Sequence, residues 1–318
     1  MADDYSDERV KRSEGAERTR RREDRRRQLR RQRLLAAVAL LIVGAAVIAV
    51  VASLAGGGGD GSSKKAASSQ SHGHGDAANE EGSGSSDLVR NATPQPDWKP
   101  YTGPVPILEY HVLGQPRGEV PYPDLYVPRA SFRKQMDWLD EQGYEAVTLE
   151  RVEEAWYHGG TLPAKPMVIS FDDGYRPQYT FALPTLSKHG WPGVLNLKAE
   201  GSDLYESNVK AMLAAGWELA AHTIHHSDLT TLEGEALEEE VSGSRKLLQH
   251  EYGVPVKNFC YPSGRFDSTV IAAVEAAGYV GATTEIPGWA TKDYPYELAR
   301  IEVLGSWTVG DLAEAMRD

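Results

Sequence analysis

Short apolar runs alternate with amphipathic stretches from residue 101 to residue 318. The runs PVPILEY, EAVTL, PMVISF, GVLNL, WELAAH, NFCYP, YVGATT and ARIEV are short, apolar and rich in β-branched residues, which predicts strands. Helical periodicity between and after them predicts helices over residues 131–142, 150–157, 179–189, 207–215, 234–251, 268–277 and 309–316. Ser131 is a candidate N-cap, and Gly143, Gly216, Gly253 and Gly278 stand where helices should close. Pro184 is expected to shorten or kink the third helix. Alternating strands and helices imply a parallel sheet with helices packed on it. Six or more such units suit an α/β barrel, complete or incomplete, with a doubly wound open sheet as the alternative. In either architecture ligands bind beyond the C-terminal ends of the strands.

The first hundred residues follow a different pattern. Residues 34–55, LLAAVALLIVGAAVIAVVASLA, are uncharged and apolar except for Ser53. About 20 such residues span a bilayer as a helix, so a transmembrane helix is expected there. A cleaved signal peptide is the competing reading, but its apolar core is usually about 7–15 residues. Residues 56–100 are mostly Gly, Ser, Ala, Asp and Glu and bury too little surface to order themselves. As a flexible tether they would reach roughly 35–40 Å. The pair His72 and His74 reads as part of that solvated linker, and Asn91-Ala92-Thr93 fits a glycosylation pattern that is common by chance. The expected organisation is a basic cytoplasmic segment at 1–33, the span at 34–55, a disordered linker at 56–100 and one domain at 101–318.

Charge sharpens that division. Residues 1–33 hold thirteen of the 34 basic and eight of the 46 acidic residues, leaving 21 basic and 38 acidic for the remainder. Basic residues ahead of an apolar span stay inside, which places the N-terminus in the cytoplasm and the domain outside the cell membrane, or secreted if the segment is cleaved. The acidic domain lacks the basic footprint of a nucleic-acid binder. The one cysteine, Cys260, can form no internal disulfide, so the domain must be held by its core.

Candidate chemistry stands at the predicted strand ends. PILEY is followed by His111, VISF by Asp172 and Asp173, ELAA by His222-Thr223-Ile224-His225-His226, and NFCY by Pro262-Ser263-Gly264. If the fold reading holds, four strand ends carry acids and imidazoles to one rim. Asp-Asp-Gly alone is a common turn, and two histidines four apart share a helical face whether or not they bind anything. Together, two imidazoles and a carboxylate match an open, catalytic metal site, with a second carboxylate free for proton transfer.

VISFDDGY followed some fifty residues later by HTIHH, with PILEYHVL before and FCYPSGRFD and LARIEV after, resembles the polysaccharide deacetylases (the NodB homology domain, carbohydrate esterase family four). The resemblance covers residues 105–303. It implies a distorted (β/α) barrel, a divalent metal (zinc first, cobalt or manganese as alternatives) on Asp173, His222 and His226, and Asp172 as catalytic base. It also implies that Thr223 braces the histidine loop and that a backbone N–H near Ser263 stabilises the oxyanion. The implied substrate is an N-acetylated polysaccharide of peptidoglycan or poly-N-acetylglucosamine type.

Two departures from the family pattern matter. Cys260 stands where an arginine usually orients the base, and Ser263 where a tyrosine is usual; Arg265 or Arg300 are the candidate substitutes. No histidine follows His250 to act as general acid, which leaves His111, His225 or Asp172 acting twice, with His111 preferred. Tyr175, Trp191, Tyr261 and Trp289 are candidate sugar-stacking rings. The competing functions are a non-catalytic, wall-anchored carbohydrate binder and an O-acetyl esterase.

Overall fold

The computed structural model describes residues 88–317. The basic segment, the apolar run at 34–55 and the linker up to residue 87 lie outside the described residues. Among the described residues no helix is long and apolar enough to cross a membrane.

The main sheet has eight strands: β1 (Ile107–Tyr110), β2 (Glu145–Ala146), β3 (Pro166–Asp172), β4 (Val194–Leu197), β5 (Glu218–Ala221), β6 (Asn258–Cys260), β7 (Gly281–Pro287) and β8 (Leu298–Glu302). All its pairings are parallel. Its order runs β1-β8-β7-β6-β5-β4-β3-β2, and β1 also pairs with β3. Seven strands therefore close a ring. β2 stays outside that ring, pairing only with Pro166 and Met167, while β1 takes Val168 to Phe171. The open doubly wound alternative is thus excluded, and the barrel is one strand short of eight.

The helices are α1 (Arg129–Glu141), α2 (Leu149–His158), α3 (Leu183–His189), α4 (Glu206–Ala214), α5 (Gly234–Glu238), α6 (Ser244–Tyr252), α7 (Ser268–Ala276) and α8 (Val309–Ala315). Their ends follow from local chemistry. Thr148 accepts from Arg151 N at the start of α2, Asp267 accepts from Thr269 N and Val270 N at the start of α7, and Thr308 with Asp311 forms a capping box on α8. Ser131 is not a cap: α1 begins two residues earlier, after Pro128. Pro184 breaks nothing, because it sits in the first turn of α3, where its missing N–H costs no bond. Two π-helical turns were not anticipated: Gln178–Ala182 leads into α3, and Glu239–Gly243 joins α5 to α6.

Side chains alternate between two cores, as a closed barrel requires. Leu108, Tyr110, Ile169, Phe171, Leu195, Leu219, Phe259 and Ile301 belong to the layer between barrel and helices. Ile107, Val168, Val194, Ala220 and Leu298 belong to a second cluster with Trp98, Val152 and Trp156, which fills the start of the barrel interior. Further along, the interior positions of the same strands turn polar: Glu109, Ser170, Asp172, Asn196, Cys260 and Arg300, all buried.

The ordered domain begins earlier than residue 101. Val89, Asn91 and Trp98 are buried. Val89 N donates to Ala215 O and Asn91 N to Gly190 O, carbonyls that precede β5 and β4. Residues 88–98 therefore strap across the end of the barrel opposite the strand C-termini. Asn91 is no glycan acceptor here, since its amide donates to Glu145 and to Ala146 O inside the protein.

Candidate active site

Asp172 ends β3, His222 follows β5, His111 follows β1 and Ser263 lies three residues beyond β6. All four are at strand C-termini, on one rim. Among the described residues four non-glycine residues have positive φ: Asp173 at 74°, Thr223 at 65°, His226 at 60° and Ser263 at 53°. Such conformations cost on the order of 1–3 kcal/mol each and persist where the surroundings enforce them. Every one falls on this rim. At Asp173 the left-handed turn lets two adjacent carboxylates serve one site, where an extended strand would send them to opposite faces. Gly264, at φ 58°, could carry no side chain, because a Cβ would meet the backbone N of Glu285 at 2.7 Å.

Asp173 Oδ1 lies 3.6 Å from His226 Nε2 and 3.8 Å from His222 Nε2. Tetrahedral ligation at about 2.1 Å separates ligand atoms by about 3.4 Å, so the triad fits a divalent ion. His222 Nδ1 bonds Cys260 O at 2.8 Å. That fixes the tautomer and leaves Nε2 as the free lone pair. Burial lowers the His222 pKa to about 4, so the ring is neutral, the form that binds metal. Thr223 does brace the loop: its Oγ1 accepts from His226 N at 2.8 Å. Lys198 Nζ stands 3.7 Å from Asp173 Oδ1 and near the ring of Tyr175, whose hydroxyl pKa is raised by burial and by the nearby Asp173 carboxylate.

Asp172 is buried and fully coordinated. Arg300 grips it through Nη1 on Oδ1 and Nη2 on Oδ2, both 2.9 Å, Asn196 donates at 2.7 Å, and the Cys260 thiol donates at 3.4 Å. Burial alone would raise its pKa, but the Arg300 guanidinium, with His222 and His111, holds it below the usual carboxylate range. Arg300 thus takes the arginine role that Cys260 vacates, while Arg265 pairs with Asp228 instead. Burial pushes the Cys260 thiol up, so it stays protonated.

Beneath His111 lies a residue the sequence reading passed over. Glu109 is buried, with Oε1 3.7 Å from His111 Nε2 and Oε2 3.2 Å from Arg300 Nη2. Neither oxygen has a hydrogen-bond partner among the described residues. Burial holds its pKa well above normal, Arg300 opposing and Asp172 adding to the rise. One guanidinium neutralises one carboxylate, and Asp172 has the better geometry. Glu109 is therefore the neutral acid of the pair.

Ligand atoms of Glu109, His111 and Asp172 cluster, as do those of Asp172, His222 and Cys260. Asp172 is already taken by Arg300, Asn196 and Cys260, so the Asp173 triad is the set left to receive a cation. His225 is excluded from the site. It is exposed, with Nδ1 on Glu240 at 2.7 Å and Nε2 3.4 Å from Glu200.

The expectation for Tyr261 is corrected. It is fully buried against Phe259 and Phe266, and its hydroxyl donates to Tyr296 O. It presents no face to a sugar. Trp191 is core as well, stacked on His189 at 4.6 Å. Trp289 is half-buried against the outer core, with its indole N–H inside. Tyr175 is the partly exposed ring beside the triad.

Comparison with known proteins agrees with this geometry. The family model for polysaccharide deacetylase matches residues 159–282, which contain Asp172, Asp173, His222 and His226. A putative polysaccharide deacetylase, YxkH of Bacillus subtilis (strain 168), is 32% identical over 205 residues, covering 63% of this chain and 71% of the relative. The chain belongs to the polysaccharide deacetylase family. The poly-beta-1,6-N-acetyl-D-glucosamine N-deacetylase of Escherichia coli (strain K12) is 41% identical over 68 residues, 21% of this chain and 10% of that protein. Among solved structures, the polysaccharide deacetylase BC0361 from Bacillus cereus superposes with a TM-score of 0.60 at 27% identity, over 68% of this chain and 69% of that one. This family membership makes the chain a deacetylase enzyme.

Proposed function

We propose that this deacetylase is a metal-dependent hydrolase that removes N-acetyl groups from a cell-wall or surface polysaccharide of the peptidoglycan or poly-N-acetylglucosamine type. The observation that carries the reading is an ionised, arginine-clamped Asp172 directly beside the Asp173–His222–His226 triad. A divalent ion on that triad, zinc in preference to cobalt or manganese, would supply a water of lowered pKa and polarise the acetamide carbonyl. Asp172 receives the proton of the attacking water as general base. Arg300 and Asn196 hold it in one orientation, so little reorganisation accompanies the transfer. The N–H of Ser263 donates to the developing oxyanion. His111, backed by the neutral Glu109, protonates the leaving amine. Tyr175 offers a ring beside the reacting centre for the sugar.

The anchor belongs to the same reading. Residues 34–55 would hold the enzyme at the cell membrane with the N-terminus inside and the barrel outside, where such polymers lie.

The test is acetate release by the full chain from peptidoglycan, poly-N-acetylglucosamine, chitin oligomers and acetylated xylan, with and without chelator. Release from an N-acetylated polymer, abolished by chelation and restored by zinc, is expected. Release from acetylated xylan alone would make the enzyme an O-acetyl esterase. Chelator-resistant release would remove the metal from the mechanism.

A further inference from the structure

The two π-helical turns follow different strands, β3 and β5, and each carries a buried polar side chain that bonds backbone at a strand end. Gln178 opens the first turn and is fully buried. Its Nε2 donates to Asp172 O at 2.6 Å and to His111 O at 3.0 Å. One amide thus ties the end of β3 to the end of β1, joining the residue that carries the base to the residue that carries the acid. Glu240 lies in the second turn and is buried. Its Oε2 accepts from Ile224 N at 3.0 Å and from His225 N at 3.1 Å. Its Oε1 takes His225 Nδ1 at 2.7 Å and Ser227 Oγ at 2.9 Å. Three of these bonds pin Ile224 and His225 between His222 and His226, the fourth holds Ser227 just beyond, and Thr223 and His226 in this loop have positive φ. π turns are rare and occur frequently at functional sites. Both of these aim a polar group at backbone that has left regular structure.

We propose that Gln178 and Glu240 are positioning residues with separate duties: Gln178 sets the spacing of the acid–base pair Asp172 and His111, and Glu240 sets the metal-binding geometry of His222 and His226. The Gln178 duty rests on the deacetylase mechanism above. The Glu240 duty rests only on the triad as a metal site. The separation rests on the hydrogen bonds: Gln178 makes none to His222 or His226, although the Asp172 carbonyl it holds leads into Asp173, and Glu240 makes none to Asp172 or His111.

The experiment compares Gln178→Met and Glu240→Gln in the full chain by zinc calorimetry and by kcat and KM at limiting and saturating zinc. Gln178→Met should lower kcat about 10–100-fold, with zinc affinity and KM within about twofold of the parent protein, and added zinc should not rescue it. Glu240→Gln should weaken zinc about 10–100-fold, while kcat at saturating zinc returns to within about threefold of the parent. Equal loss of zinc affinity in both variants, or a kcat deficit in Glu240→Gln that survives saturating zinc, overturns the division of duties. So does parental behaviour in both. If either variant fails to fold, Gln178→Asn and Glu240→Asp, each one methylene shorter, carry the same comparison with the polar group kept, and the same outcomes decide it. A parent protein that binds zinc but releases no acetate would sink the mechanism and leave the calorimetric half of the test standing.

Discussion

The barrel interior has two halves built on the same strands. Near the strand starts, Ile107, Val168, Val194, Ala220 and Leu298 pack under Trp98 and Trp156. Two residues further along, the same faces carry Glu109, Ser170, Asn196 and Arg300, with Asp172 and Cys260 beside them. A buried aliphatic side chain contributes roughly 1.5–3 kcal/mol. A buried ion pair such as Asp172–Arg300 contributes about nothing net against a hydrophobic replacement, because desolvation offsets attraction. The first half therefore supplies stability and the second half consumes it, along with the four positive-φ residues at its rim. Chemistry sits on one end of the barrel because the other end holds the strands in place.

That contrast can be broken most severely at Arg300. Replacing it with Met leaves the Asp172 charge buried and alone, so unfolding in denaturant should show a loss of about 3–5 kcal/mol. Activity should disappear. The double variant Asp172→Asn/Arg300→Met should regain most of that stability and none of the activity, which separates the pair's catalytic duty from any structural one. The apolar half should answer in the opposite sense. Ile107→Ala should cost about 2–4 kcal/mol in the same melt, with kcat within about twofold of the parent. A comparable kcat loss in Ile107→Ala would erase the distinction between the halves.

A pH effect comes next in size, from acids that buttress the apolar end. Burial, with Glu218 adding to it, raises the Glu153 pKa to about 8. Burial also raises Glu218 to about 7. Unfolded glutamates ionise near 4.5, so the native state binds more protons than the unfolded one between that pH and 7–8. Stability is then complete below about pH 4.5 and declines as pH rises through the folded values. Glu153→Gln should flatten the fall of stability between pH 4.5 and 8 in denaturant titrations. A parallel fall in the variant would mean Glu153 is ionised when folded. The smallest effect is expected at Glu109. A neutral acid and an amide are nearly isosteric, so Glu109→Gln should keep the pH 5 stability within about 1 kcal/mol and kcat within about threefold. A large loss of stability at that pH would mean that Glu109 is ionised when folded.

Much of this was legible along the chain. Apolar runs located every strand of the ring, and glycines at 143, 253 and 278 closed helices as expected. The strand-end rule placed Asp172, Asp173, His222 and His111 together before any coordinates. The misses differ in cause. Tyr261 was read as a sugar platform because an aromatic after a strand has the same sequence whether it faces the rim or the helices. Glu109 and Asn196 were passed over although each is a polar residue inside an otherwise apolar strand, the one local sign that an interior position is meant to be polar. Gln178 and Glu240 gave no sign at all, since a π turn leaves no distinct periodicity.

That Asp172, Asp173 and His222 share one rim was determined by sequence alone, because strand alternation and strand ends are local properties that fix which face and which rim a residue occupies. Which arginine holds Asp172 was left open between Arg265 and Arg300, residues 35 apart in the chain. Ring closure decided it. β1 pairs with both β8 and β3, which sets Arg300 two strands from Asp172 with both side chains inside the ring.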